Sequence, residues 1–290
     1  MTARPDSAPQ DLTITTTDGT TLAATLYGAN ASGPITVIAS GAAIRRRYYA
    51  PFAQALAERG RPTLTFDYRG IGGSLPGPIT QFKARMRDWG IRDIPAVIAW
   101  SRATYPNRPL HWVGHSYGGG FGLGLAWNNT EIARALSIAT PHGYWGDMDK
   151  PERYRIGALV GLAMPILIAA SQRLPGRIAG TGEDLPAGVA REWRRWIMAR
   201  NSLFDVPDLP EVRHFKTMTA PMRFLRVADD PWASDIAVQR ISAEFSNAPH
   251  HIVRVAPPRG EKIGHLGFFR PRFETSLWPT ALDWLDQTQP

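Results

Sequence analysis

Ser116 stands between Gly114 and Gly118 in LHWVGHSYGGGFGLGLAW, a stretch that runs from an apolar segment of strand length into a glycine-rich segment of helix. On a sharp strand-to-helix turn a serine hydroxyl can be presented as a nucleophile, and small flanking residues let strand and helix pass without Cβ clashes. The same five-residue pattern also arises as a plain tight turn or a phosphate loop. No G-x-x-x-x-G-K-[ST] run accompanies it, which disfavours the phosphate loop. A serine is a weak nucleophile at neutral pH, so the chemistry needs a base and a group that orients the base.

Seven histidines compete for the first role. His111, His250 and His251 begin or precede strands and so fall at the wrong edge of a sheet. His115 adjoins the serine on the turn and is expected to face elsewhere; His142 and His214 fall in or beside residues 141–219, and His142 could reach a pocket. His265, in RGEKIGHLGFF, follows the last predicted strand in a loop with Gly264 and Gly267 beside it, where it can swing over the serine. For the orienting carboxylate, RFLRVADDPWAS offers Asp229 and Asp230 directly after a strand; one can cap the following helix while the other holds the imidazole. With no cysteines, disulfides, thiolate metal sites and a cysteine nucleophile are excluded. The lack of a metal motif argues against a zinc hydrolase, and no cofactor is expected.

The elements that must position these groups alternate. DLTITTTDGTTLAATLYG reads as a hairpin about Asp18-Gly19, and PITVIAS, PTLTFDY, LHWVG and ARALSIA read as buried strands. Helical segments separate the later strands, among them YAPFAQALAERG and a helix expected to begin near Asp93 as N-cap. This order predicts an α/β fold: a mostly parallel sheet with helices on both faces. From about Pro141 to Ala220 the rhythm breaks into successive helices, including AREWRRWIMAR, whose Trp193, Trp196 and Ile197 share a face read as packing; strands resume with PMRFLRVA and HHIVRVA. Residues 1–140 and 220–290 are therefore expected to form the core and residues 141–219 an inserted helical cap.

Apolar residues at 43% and charged ones at 20% are ordinary for a folded chain. The net charge of +8 is spread along the sequence, and the run Arg45 to Arg47 before Tyr48 and Tyr49 lacks any nucleic-acid motif, so it reads as a solvated turn. Ile156 to Ser171 is apolar but short of the roughly 20 residues of a spanning helix and contains Pro165, so a buried or pocket-lining helix without stable membrane insertion is expected. The opening MTARPDSAPQDLT has no apolar leader core, from which a cytoplasmic protein is expected.

With Ser116, an aspartate and His265 in that chain order, the sequence resembles the α/β-hydrolase superfamily over nearly its whole length. DYRGIGGS is similar to the family's D-x-R-G-x-G-x-S loop and GHSYGGG to its nucleophile elbow. FDYRGIGGS, HSYGGG, GYW, LPAGVAREWRRW and GHLGFFR look like a bacterial subgroup of predicted α/β-hydrolases. The family's G-x-x-D pattern falls on Val227-Ala228-Asp229-Asp230, with Val in place of Gly, and so points to Asp230 rather than Asp229. The resemblance implies a serine esterase acting on a small-molecule ester through an acyl-enzyme. Backbone N–H groups of Tyr117 and Ala42 would form the oxyanion hole, with Ala43 as the alternative to Ala42, although Ser40 departs from the family's His-Gly start. A serine argues against the dehalogenase and epoxide hydrolase chemistry that related families run with an aspartate. Leu162, Ile166 and Tyr144 are expected to line the acyl pocket. An acyltransferase using the same acyl-enzyme, or a non-catalytic binding protein on the same fold, are the alternatives.

Overall fold

The apolar runs pair into one mixed sheet in a computed structural model that describes residues 8–179 and 182–287. Residues 1–7, part of the stretch read for a leader, lie outside the described residues. The strands of this sheet are β1 (Gln10–Thr15), β2 (Thr21–Tyr27), β3 (Ile35–Ala39), β4 (Thr63–Phe66), β5 (Leu110–His115), β6 (Ile132–Ile138), β9 (Met222–Val227) and β10 (His250–Val255). A separate antiparallel pair, β7 (Arg173–Leu174) with β8 (Leu185–Pro186), lies within the helical stretch. The sheet order is β1-β2-β4-β3-β5-β6-β9-β10, with β1 and β2 antiparallel to their neighbours and the rest parallel.

The chain passes outward from β3 to β4 and then crosses back to β5. Strand order therefore reverses at β3 and β5, whose carboxyl ends flank the crevice where such sheets bind ligands. Alternation along the strands feeds two cores. Val37 and Trp112 pack on one face with Trp89 and Val97, while Ile38 and Val113 pack on the other with Phe52, Phe268 and Trp278. Both faces are covered by helices, as a parallel sheet requires.

Three local expectations change. The helix expected to start at Asp93 starts seven residues earlier and runs over residues 86–104 with a π-helical turn, Trp89–Asp93. Asp93 is buried inside it and accepts from the backbone N–H of Arg69 at 2.9 Å and from Arg69 Nε at 2.6 Å. A tertiary ion pair, not a helix cap, explains that aspartate. Likewise Arg46 is no solvated turn residue: it donates to Asp67 from its backbone at 2.6 Å and from Nη1 at 2.5 Å, and Arg45 pairs with Glu183.

The third change concerns the apolar run. Its helix, Glu152–Ser171, is 20 residues long and holds an 18-residue window of mean hydropathy 1.6, so by length and composition it could cross a membrane. A π-helical turn at Leu159–Ala163 keeps four-residue spacing in phase. Ile156, Val160, Met164 and Ile168 are consequently all buried, and Ala158, Leu162, Ile166 and Ala170 all face outward. Arg194 donates from Nε to the Val160 carbonyl at 2.9 Å, satisfying backbone at that turn.

Candidate active site

Ser116 is carried at the end of β5 with φ of 50°, in the left-handed region that a side chain adopts only under tertiary constraint. The glycines beside it are required by close backbone approach. A Cβ on Gly114 would lie 2.2 Å from Gly119 Cα, and one on Gly118 would lie 2.5 Å from the Ala39 carbonyl oxygen. The turn thus closes only with glycine at both positions, and the serine projects into a cleft.

The His265 loop reaches the same cleft from beyond β10. Ser116 Oγ lies 3.0 Å from His265 Nε2, and His265 Nδ1 lies 2.8 Å from Asp230 Oδ2. Asp230 is fully buried after β9. Its other oxygen accepts from the backbone N–H groups of Trp232 at 2.9 Å and Ala233 at 3.3 Å. Burial opposes its charge, but the neighbouring His265 and these hydrogen bonds outweigh burial and hold the carboxyl below its ordinary range. Asp229 does something different: its two oxygens accept from Ile263 N–H and Gly264 N–H, each at 2.9 Å, and so fasten the histidine loop. The helix that follows is capped by Ser234, which accepts from Ala237 N–H at 3.2 Å.

The cleft has a volume of about 240 Å³. Gly41, Ala42, Ser116, Tyr117 and His265 form its polar end, and Met86, Phe121, Trp193, Ile197 and Trp232 its apolar walls. Ala42 N–H has no hydrogen-bond acceptor among the described residues, and Tyr117 N–H lies in the first turn after Ser116, where helical N–H groups lack intrahelical partners. Ala42 borders the cleft and Ala43 does not. A nucleophile, a base with a fixed tautomer and residues with free backbone donors bordering an apolar cleft can support acyl transfer through a tetrahedral oxyanion.

Not every expected residue arrives here. Leu162 and Ile166 are 72% and 69% exposed and line no part of the cleft, because the four-residue phase of their helix turns the opposite stripe inward. Tyr144 borders a separate, larger open groove of about 640 Å³ that contains none of Ser116, Asp230 or His265. Gly143, at φ of 91°, turns the chain so that it faces the cleft and Tyr144 faces Trp145 outside. His142 is buried against Phe204 and does not border the cleft. Conversely Trp193, which periodicity alone assigns to packing, shapes the cleft while Trp196 is the buried packing residue. Trp232, two residues past Asp230, and Met86 carry no sequence signal for this role.

The chain belongs to the α/β hydrolase family, whose model matches residues 36–275. No curated protein matches the chain. Among solved structures it is similar to the monoglyceride lipase of Saccharomyces cerevisiae, a soluble variant bound to a substrate analogue (15% identity over 99% of this chain and 96% of that one, TM-score 0.66). It is similar too to a putative aryl esterase from Burkholderia cenocepacia (19%, 96% and 98%, 0.62) and to the Pyrococcus furiosus esterase Pf2001 (17%, 97% and 90%, 0.60). At these identities the likeness is one of fold.

Proposed function

We propose that the protein is a serine hydrolase that cleaves carboxylic esters with small to medium apolar acyl groups. The observation that carries this reading is the unbroken line from buried Asp230 through His265 to Ser116 Oγ at the polar end of an apolar cleft. Ser116 attacks the ester carbonyl as His265 Nε2 takes its proton, and the N–H groups of Ala42 and Tyr117 receive the oxyanion. The imidazolium then protonates the departing alkoxide, leaving an acyl-enzyme and free alcohol. Water, deprotonated by the same imidazole, attacks the acyl-enzyme and releases the acid with Ser116 regenerated. Asp230 keeps the proton on Nδ1 throughout. Residues 141–219 act as a cap, contributing Met148, Trp193 and Ile197 to the acyl wall.

The test needs an activated serine and no guessed substrate. Wild type and Ser116→Ala are incubated with a fluorophosphonate and their intact masses recorded. A single adduct on wild type alone is expected, followed by turnover of short p-nitrophenyl esters. No adduct on either protein would replace this reading with that of a non-catalytic binding protein.

A further inference from the structure

Behind the cleft, a second line of hydrogen bonds reaches the same loops and is not used by the mechanism. The N–H of Gly41 donates to Tyr49 Oη at 2.9 Å, Tyr49 Oη lies 2.7 Å from His115 Nδ1, and His115 Nε2 lies 2.8 Å from the carbonyl oxygen of His265. Tyr49 and His115 are both buried. Proton positions follow from the ends inward. An amide N–H can only donate, so Tyr49 Oη accepts from Gly41 and sends its single proton to His115 Nδ1. The remaining imidazole proton then sits on Nε2, where it meets the His265 carbonyl. The reverse tautomer would face a lone pair to that carbonyl oxygen.

Burial, and to a smaller degree the nearby His265, push the His115 pKa down to about 3, so the ring stays neutral whenever the site could work. Gly41 is packed against the ring: a Cβ there would come within 3.0 Å of His115 Nδ1. The three points joined are those whose spacing matters most. Gly41 precedes Ala42, His115 precedes Ser116, and the last acceptor is the backbone of His265 itself.

We propose that Tyr49 and His115 are positioning residues: a buried strut that fixes the oxyanion loop and the base loop at one separation about Ser116. This inference rests on the hydrolase reading above. Neither side chain borders the cleft, so neither meets substrate. Losing the strut loosens two loops without altering the walls that bind the acyl group, which should move kcat and leave KM in place. Misplacement by a fraction of an ångström to one ångström at such a site costs about tenfold to a hundredfold.

The experiment compares Tyr49→Phe, His115→Asn and His115→Gln with wild type in fluorophosphonate labelling rate and in kcat and KM for a short p-nitrophenyl ester. Unfolding midpoints are recorded alongside. Tyr49→Phe removes one oxygen and keeps the ring. Asn supplies an acceptor near the Nδ1 position and Gln a donor near the Nε2 position, so each keeps one half of the strut. The expected result is a tenfold to hundredfold lower kcat in Tyr49→Phe with KM within twofold, and a smaller loss in His115→Gln than in a His115→Ala control. Wild-type kcat in Tyr49→Phe and His115→Asn, or equal changes in KM and kcat, would overturn the strut while leaving the hydrolase reading intact. An unlabelled wild type would remove the hydrolase reading and the strut together. A 15N spectrum of the His115 ring gives an independent reading at pH 5 to 8: protonated Nε2 and accepting Nδ1 support the strut, and the opposite tautomer or a titrating ring overturns it.

Discussion

Trp232 lies against His265 with ring centroids 5.2 Å apart and planes 27° from parallel, and its indole N–H donates to Glu152 Oε1 at 2.7 Å. Glu152 is itself gripped by Arg155 through two bonds of 2.8 and 2.5 Å, so the first turn of the helix Glu152–Ser171 holds the indole in place. An indole face favours the imidazolium that forms during proton transfer. Trp232→Leu should therefore lower kcat about tenfold, roughly 1.4 kcal/mol of transition-state stabilisation. Steady-state kinetics with a short ester checks this, and an unchanged kcat would sink it.

The neighbouring aspartates separate by function. Asp230→Asn leaves the shape of the site but permits the wrong imidazole tautomer, and kcat should fall by about 10⁴-fold with little loss of stability. Asp229→Asn spares the imidazole partner while weakening two bonds to the histidine loop, and should cost about 1–3 kcal/mol in urea unfolding with a much milder fall in kcat. Kinetics and unfolding on both variants decide the matter; the reverse pattern would transfer the orienting role to Asp229.

Acyl-chain preference should follow the inward face of the helix Glu152–Ser171. Beyond Trp193 and Ile197 lies a small apolar void bordered by Ile156, Val160 and Met164. Trp193→Ala joins that void to the cleft and should raise the preference for octanoyl over butanoyl esters about tenfold, the worth of roughly two buried methylenes. Leu162→Gln and Ile166→Gln should leave that ratio unchanged. A shifted ratio in the outward pair would mean that the helix turns over in solution.

Acid sensitivity should come from histidines. Burial, as the largest cause in each, lowers His111 and His115 to about 3 and His142 to about 4. Their pKa values are depressed below the ordinary 6.5, so the unfolded chain binds more protons than the folded one between these limits. Their full contribution is present above pH 6.5 and is lost as pH falls toward 4 for His142 and toward 3 for His111 and His115. At pH 5.5 the three together should cost about 4 kcal/mol, about half of it offset by Asp93, whose carboxyl burial raises to about 7, so the thermal midpoint should fall by roughly 4 °C relative to pH 7.5. A flat midpoint over that interval would contradict the burial of these rings.

What the sequence makes legible is whatever is encoded locally. The strand, turn and helix about Ser116 and the strands ahead of Asp230 and His265 are set by short-range pattern, and the structure brings those three side chains into one line. The start of the helix over residues 86–104 was not legible, because Asp93 is drawn inward by Arg69, 24 positions away. Nor was the facing of Leu162 and Ile166. Ile156 to Ser171 is apolar all round, so composition gives no phase, and the phase is set by a π-helical turn whose carbonyl is held by Arg194. The strut through Tyr49 and His115 joins residues 41, 49, 115 and 265 and has no motif of its own.

Adjacent on one short loop, Asp229 and Asp230 look in different directions, one to the backbone of the histidine loop and one to the imidazole. Insertion of a single residue between Val227 and Asp229 would put Asp229 in the place of Asp230 and leave no acid in the place of Asp229, while keeping every acid in the sequence. Loop length is thus as tightly specified as residue identity. A library that varies side chains here will find survivors, whereas one that varies length should find none without a compensating change in the histidine loop.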